Sequence, residues 1–565
     1  MRLKLAVVIA LTLAPAFSWA QLAQRLQPAA VQTTDPAADM LEAESAEVEI
    51  VLVEPPADIM TSGEMAAVPA IMVSDIRIRG NRALSNEELD AITAEYEGRS
   101  ITVEELHGLR QRLSRTYFDQ GYVNSGVIIP DQQVADGIIT LQVIEGELSG
   151  IVIDGNKALR NSYLQNRVTR SVSDPLNIGD LQTSLRLLQE EPLVSSVNAQ
   201  LVPGDTPGSG RLDLTIKEEP PFELIIAADN HRSPSVSEER GTIYLAHRSL
   251  LGRGDILAGR FGLTQGVQDH GLSYSLPVSA LGTRIEGYYG KADSEILEKP
   301  FDRLDINSVV ESAGIVISHP FIRRLDRRFK ISLGFENRQS ESTLLGFPFS
   351  FSAGEVDGRA EASALYLAGE WMQRRERSVF AARVTYNHGV GAFGASKSDI
   401  APDSRFDMFV GQLEYIRNMG WRESRVIAKS TFQLTNDPLL AMYKLGVGGR
   451  YTVRGYRENL FVRDNGVTAS LEYQFPLFVD ETGQDKYDLR LATFADWGRS
   501  WDEDDALPTS AAETIASVGL GALWNPIEGL YVELYWGKDL DDQILPNDTW
   551  QDRGLHYQVS YQAHF

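Results

Sequence analysis

The 565-residue chain contains no cysteine. Disulfides, thiolate metal sites, a cysteine nucleophile and a lipid-modified N-terminal cysteine are thereby excluded. Positive charge is scarce: 53 Lys and Arg stand against 78 Asp and Glu, a formal net charge of −25. Nucleic acid is a poor partner for such a chain, because phosphate binding needs clustered Lys and Arg. Past the N-terminus no window holds about 18 consecutive apolar residues, so no helical membrane span is expected. His-Glu-x-x-His, Gly-x-Ser-x-Gly and Walker-type phosphate-loop patterns are missing, and the eight histidines are scattered. No enzyme, cofactor or metal site is expected.

What is present divides the chain. Arg2 and Lys4 precede an apolar run from Leu5 to Leu13, and Ser18-Trp19-Ala20 forms a small-x-small cleavage pattern. Residues 1–20 are expected to be a secretory signal peptide, too short to span a bilayer. Residues 21–70 are rich in Ala, Pro and acids, as in Asp35-Pro36-Ala37-Ala38-Asp39 and Glu54-Pro55-Pro56. They read as a disordered acidic linker, with Leu22 to Gln32 as a short helix candidate that Pro28 interrupts.

Residues 71–219 hold an internal repeat. Ile76-Arg77-Ile78-Arg79-Gly80-Asn81-Arg82-Ala83-Leu84 recurs as Ile151-Val152-Ile153-Asp154-Gly155-Asn156-Lys157-Ala158-Leu159. Each copy opens on an alternating strand and turns at Gly-Asn. A helical stripe follows, Leu106, Leu109, Leu113 and Tyr117 in one copy, Leu181, Leu185 and Leu188 in the other. Two strands close each copy. The order β-α-α-β-β, twice, predicts two small modules over 71–146 and 147–219.

From residue 222 to 565 the period changes to two. Phe329, Ile331, Leu333 and Phe335 oppose Lys330, Ser332 and Glu336; Leu530, Val532, Leu534 and Trp536 oppose Tyr531, Glu533 and Tyr535. In the last strand Leu555, Tyr557, Val559, Tyr561, Ala563 and Phe565 face one way. The pattern persists for 344 residues, too long for one β-sandwich, and aromatics sit at strand ends where a membrane girdle needs them. Sixteen strands allow 344/16, about 21 residues per strand and connection, room for membrane strands of ~9–11 residues. The expected fold is α+β repeats followed by an all-β transmembrane barrel of 16 antiparallel strands.

Three local motifs carry a family resemblance. Asn230 to Asp255 looks like a first barrel hairpin, ending in Ser249-Leu250-Leu251-Gly252-Arg253-Gly254-Asp255. Val453-Arg454-Gly455-Tyr456 follows a glycine-rich approach, Leu445-Gly446-Val447-Gly448-Gly449. Phe494-Ala495-Asp496-Trp497-Gly498 matches a Phe-x-Asp-x-Gly strand motif. With two modules ahead of a barrel, the chain resembles the two-partner secretion transporters (TpsB proteins; ShlB, FhaC and HecB), in the superfamily shared with the assembly factor BamA. The modules would then be polypeptide-transport-associated (POTRA) domains in the periplasm of a Gram-negative bacterium, ahead of an outer-membrane barrel.

The resemblance implies function and partners. The Val-Arg-Gly-Tyr loop would lie inside the barrel, its Arg454 meeting Asp496. Strand parity agrees, since Phe494 and Asp496 share a face with Arg490, and a guanidinium offers a bidentate fork to a carboxylate. An unfolded exoprotein would pair with an exposed POTRA edge, expected at Val123, Val127 and Ile129, beside a groove from Leu106 to Phe118. That partner would be a large secreted chain with an N-terminal secretion domain, a β-helical adhesin or haemolysin. The terminal strand, through Tyr557, Val559, Tyr561 and Phe565, would be the signal read by the barrel assembly machinery. A monomer in outer-membrane lipid is the default. A BamA-type assembly factor is the alternative; such proteins usually carry three or more POTRA modules, and this repeat count is two. Arg253-Gly254-Asp255 reads as a turn, and Asp502 to Asp505 as solvated loop charge.

Overall fold

A computed structural model describes residues 50–52, 70–397, 402–421, 423–478, 488–503, 512–541 and 548–565. The expected signal peptide and most of the linker lie outside these residues. Two compact units emerge, residues 45–219 and the barrel from Pro220 to Phe565.

In the first module β3 (Asp75–Arg79), β5 (Gly126–Ile128) and β6 (Ile138–Ile144) form a sheet ordered β3-β6-β5, preceded by a small pairing of β2 (Ile71–Val73) with β4 (Arg99–Ile101). Helices α1 (Asn86–Thr93) and α2 (Val103–Asp119) cover the sheet. A capping box starts α2: Thr102 Oγ1 accepts the Glu105 N–H at 3.1 Å, and Glu105 accepts the Thr102 N–H at 2.7 Å. The stripe Leu106, Leu109, Leu113 and Tyr117 is buried in this module's core.

The second module repeats the plan with β7 (Glu147–Asp154), α3 (Asn161–Thr169), α4 (Ile178–Gln189), β8 (Val194–Pro203) and β9 (Ser209–Glu218). The repeated Gly-Asn turn has a physical basis. Gly80 and Gly155 adopt φ of +83° and +88°, where a side chain is strained. Asn81 and Asn156 each donate to a carbonyl three residues on, at 2.8 and 2.6 Å. Each turn is then capped by a carboxylate at the end of its module's last strand. Glu145 accepts the Ala83 N–H at 2.7 Å, and Glu218 accepts the Lys157 N–H at 2.8 Å.

Part of the linker differs from the disordered expectation. Ile50–Leu52 forms β1, which pairs in parallel with β8 and extends the sheet to β1-β8-β9-β7. Ile50 packs against the second module's core. An apolar trio, two of its residues β-branched, gains backbone hydrogen bonds beside an open sheet edge that the acidic composition around it does not forbid.

The barrel closes with 16 antiparallel strands, from the first (Phe222–Asp229) to the last (Leu555–His564), together with the two-residue stub Phe347–Pro348. First and last strands pair directly, Ile226 opposite Tyr561. Phe222 and Phe565 exchange both backbone hydrogen bonds at 3.0 Å and stack their rings at 5.5 Å. Strands run from 8 to 18 residues. Most connections at the end where the chain enters are short, as at 376–377 and 528–529, and most at the other end are longer, as at 436–464.

The burial pattern inverts that of a soluble sandwich. Outward Ile315, Ile317, Leu333, Leu365 and Leu367 are exposed, while inward Glu336, Arg338, Glu472 and Asp496 are buried. Only a hydrocarbon surround makes that arrangement favourable. Among the described residues no helix is long and apolar enough to cross a membrane; crossing falls to the strands.

Candidate functional site in the barrel lumen

The connection between the eleventh strand (Arg425–Thr435) and the twelfth (Asn465–Phe478) enters the lumen. Its base is a small hairpin, Leu445–Val447 paired with Phe461–Arg463. Gly448, Gly449 and Gly455 hold φ of +109°, +104° and +92°, which lets the chain fold back sharply. Val453 and Tyr456 are fully buried with Leu445, Val447 and Ile515. Tyr456 Oη donates to the Ala516 carbonyl at 2.8 Å.

Arg454 sits at the centre of this tip. Its Nε and Nη2 donate to Asp496 Oδ2 and Oδ1 at 2.8 and 2.9 Å, and its own N–H reaches Oδ2 at 3.0 Å. Asp496 lies on the thirteenth strand (Leu489–Trp501), inward as parity requires. Nη1 also pairs with Glu472 of the twelfth strand, and Nη2 donates to Ser470 Oγ at 3.0 Å. The guanidinium lies 3.6 Å from the Phe494 ring centroid. Arg454 is therefore matched by two carboxylates and an aromatic face in a site almost closed to solvent. Stranding such a charge by removing a partner costs about 3–5 kcal/mol.

Both motif glycines make room. A Cβ at Gly498 would stand 2.8 Å from Val453 and 2.9 Å from Val447. A Cβ at Gly455 would meet the Gly537 backbone at 3.0–3.2 Å.

Several contacts escaped the motif-level reading. Arg338 of the seventh strand (Arg327–Leu344) donates to the Met442 carbonyl at 2.9 Å and lies 4.3 Å over the Tyr443 ring. Arg457 binds Asp552 through two hydrogen bonds, at 2.8 and 2.9 Å, and Glu298 at 2.9 Å. The available signal was three arginines, 450, 454 and 457, within eight residues of one loop. Their carboxylate partners are far apart in sequence.

The POTRA candidates are placed differently from the groove expected. Leu106 and Val127 are buried in the first module's core and present no surface. Val123 precedes β5 and packs against the second module's core. Ile129 is half-buried on the first core. Phe118 is exposed, with Arg115 5.5 Å above its ring. β5 is one edge of its sheet, with β3 at the other, and the Val127 N–H of β5 donates to Ser114 Oγ of α2 at 2.9 Å. In the terminal strand Val559, Tyr561 and Phe565 face outward and Tyr557 is half-buried.

The remaining motifs are internal. Asp255 is buried and accepts the Leu251 N–H and the Tyr274 hydroxyl, each at 3.0 Å, so Arg253-Gly254-Asp255 is a braced turn. Asp502 is not a free loop charge: it pairs with Lys444 at 2.8 Å and Arg463 at 2.6 Å.

A closed barrel, apolar outside and charged inside, crossed by an arginine-anchored loop and preceded by α/β repeats, belongs to the outer-membrane polypeptide transporters. The chain is a member of the haemolysin secretion/activation family ShlB/FhaC/HecB, whose model matches residues 208–523; the ShlB-type POTRA domain model matches 71–146. It is thus an outer-membrane transporter of the two-partner secretion type. Outer membrane transporter CdiB-2 of Burkholderia pseudomallei is 25% identical, covering 79% of this chain and 76% of that protein. Heme/hemopexin transporter protein HuxB of Haemophilus influenzae is 21% identical, covering 82% and 83%. The structure of CdiB from Escherichia coli shares the fold at a TM-score of 0.67 and 20% identity, covering 93% of this chain and 95% of that one. The structure of BamA from Haemophilus ducreyi lacking POTRA domains 1–3 shares it at 0.54 and 15% identity, covering 87% of this chain and all of that truncated one.

Proposed function

We propose that this transporter exports one dedicated exoprotein, received unfolded by the POTRA modules and passed through the lumen while Arg454 holds its loop in a transport-competent position. The observation that carries this reading is the buried Arg454–Asp496–Glu472 cluster, which would hold the loop in a transport-competent position inside the lumen. An incoming strand would pair at the β5 edge through main-chain hydrogen bonds that are indifferent to its sequence, taking the Val127 N–H from Ser114 Oγ. The substrate would be a large secreted protein with an N-terminal secretion domain, of the β-helical adhesin or haemolysin kind. Its folding outside the cell would draw the chain through, since the chain carries no Walker-type motif for nucleotide. The transporter would act as a monomer, inserted by the barrel assembly machinery through the outward face of its last strand.

The test is export in a reconstituted host that expresses this chain with the exoprotein encoded beside it. Arg454→Ala is expected to leave a folded barrel in the membrane and to reduce export sharply. Unchanged export by that variant would overturn the role given to the loop.

A further inference from the structure

The fifteenth strand (Leu530–Asp539) touches the lumen loop at three successive inward positions. Glu533 accepts Nε and Nη2 of Arg450 on its two oxygens, at 2.8 and 2.9 Å. Two residues on, the Tyr535 ring lies 4.3 Å from the Arg450 guanidinium and 4.8 Å from that of Arg454. Two residues further, Gly537 meets the Gly455 backbone so closely that neither glycine accommodates a side chain without displacement. Strand parity aligns these residues into one rack, and all three are buried.

Tyr535 joins the two arginine sites. Its hydroxyl donates at 3.0 Å to Glu472 Oε1, and the other oxygen of Glu472 pairs with Arg454. Its ring stands edge-on to Phe494, the aromatic beneath Arg454, at 5.8 Å between centroids. One aromatic side chain thus contacts both guanidinium groups, and its strand neighbour Glu533 holds one of them. Tyr531 adds a hydrogen bond to Glu533 at 2.9 Å, which fixes the carboxylate that Arg450 meets.

We infer that the loop is held by a second latch, Arg450 to Glu533, coupled to the first through Tyr535, and that Glu533 and Tyr535 are positioning residues for export. With Arg454 freed, Arg450 still ties the loop to the fifteenth strand. With Arg450 freed, the Tyr535 ring loses one of the two cations that flank it, and its hydroxyl holds Glu472 less firmly for Arg454. Residues in one such network are not additive. The inference rests on the reading that the loop must be held in place for export.

The test uses the purified full-length protein in planar bilayers, with export measured in parallel. Heat-modifiable migration confirms a folded barrel for each variant. Glu533→Gln keeps the side-chain shape and removes the charge. It is expected to raise the open fraction of the pore on the order of tenfold and to lower export. In an Arg454→Ala background the same change is expected to add less than it does alone, because Tyr535 is already loosened. If Glu533→Gln does not assemble, Arg450→Gln reads the same pair from the loop side, with the same expected rise. An unchanged open fraction in the variant read overturns the latch. Full multiplication of the two single effects in the double variant overturns the coupling through Tyr535. Arg454→Ala moving the open fraction while Glu533→Gln does not defeats this inference alone; neither variant moving conductance or export defeats the proposed function as well.

Discussion

Arg454 and Asp496, 42 residues apart in sequence, meet through three hydrogen bonds inside the barrel, one from the backbone and two from the guanidinium. The contact fixes both the position and the orientation of the loop tip, because a planar fork on a carboxylate allows little rotation. Lysine is a point charge on a flexible stem and cannot reproduce it. Arg454→Lys is therefore expected to fall closer to Arg454→Ala than to the native protein in export. Secretion titres of the three proteins, at equal barrel content in the membrane, check this.

Gly455→Ala is expected to disturb the loop without touching any charge. Its φ of +92° is unfavourable for a side chain, and the added Cβ would press on the Gly537 backbone. A strained backbone of this kind costs about 1–3 kcal/mol. The variant should show faster proteolytic cleavage within residues 445–460 than the native protein while the barrel resists. Equal cleavage would contradict the close approach.

In the first POTRA module the cap of α2 links pH to stability. The Arg99 side chain, followed by the Thr102 backbone N–H, holds the Glu105 carboxyl below its ordinary value of 4.5. A depressed carboxyl adds stability that is present above that value and is lost as pH falls through the folded-state value. Thermal unfolding of residues 70–219 should therefore shift downward on acidification. Glu105→Gln should flatten that shift, and Thr102→Ala should lower stability by about 1 kcal/mol at neutral pH.

β1 predicts an exchange pattern. Val51→Pro removes one backbone donor from the parallel pairing with β8 and is expected to release β1. Amide hydrogen exchange at Ala199 to Leu201 should then quicken most at the amides that β1 covers, with the β8–β9 pairing retained. Unchanged exchange along β8 would contradict the pairing.

Local regularity made much of this architecture legible. The parity that sets Asp496 inward needs only the strand containing it, and the Gly-Asn repeat marks two modules whose turns are capped alike by Glu145 and Glu218. The second latch was not legible, because Arg450 and Glu533 are 83 residues apart and strand closure decides their meeting. Leu106 reads as a groove residue and Val127 as part of the edge beside it for a similar reason. An amphipathic stripe reveals an apolar face and does not say whether the module or a partner covers it. β1 was hidden because three residues form a strand only where a sheet edge receives them.

The most direct measurement is secretion of the adjacent exoprotein by cells carrying the native transporter, Arg454→Ala, or no transporter, with outer-membrane barrel content followed in each. The account predicts that the exoprotein reaches the supernatant only with the native protein, while other outer-membrane barrels stay at normal levels throughout. Equal secretion by Arg454→Ala, or a general loss of barrels when the transporter is deleted from its native cell, would contradict it.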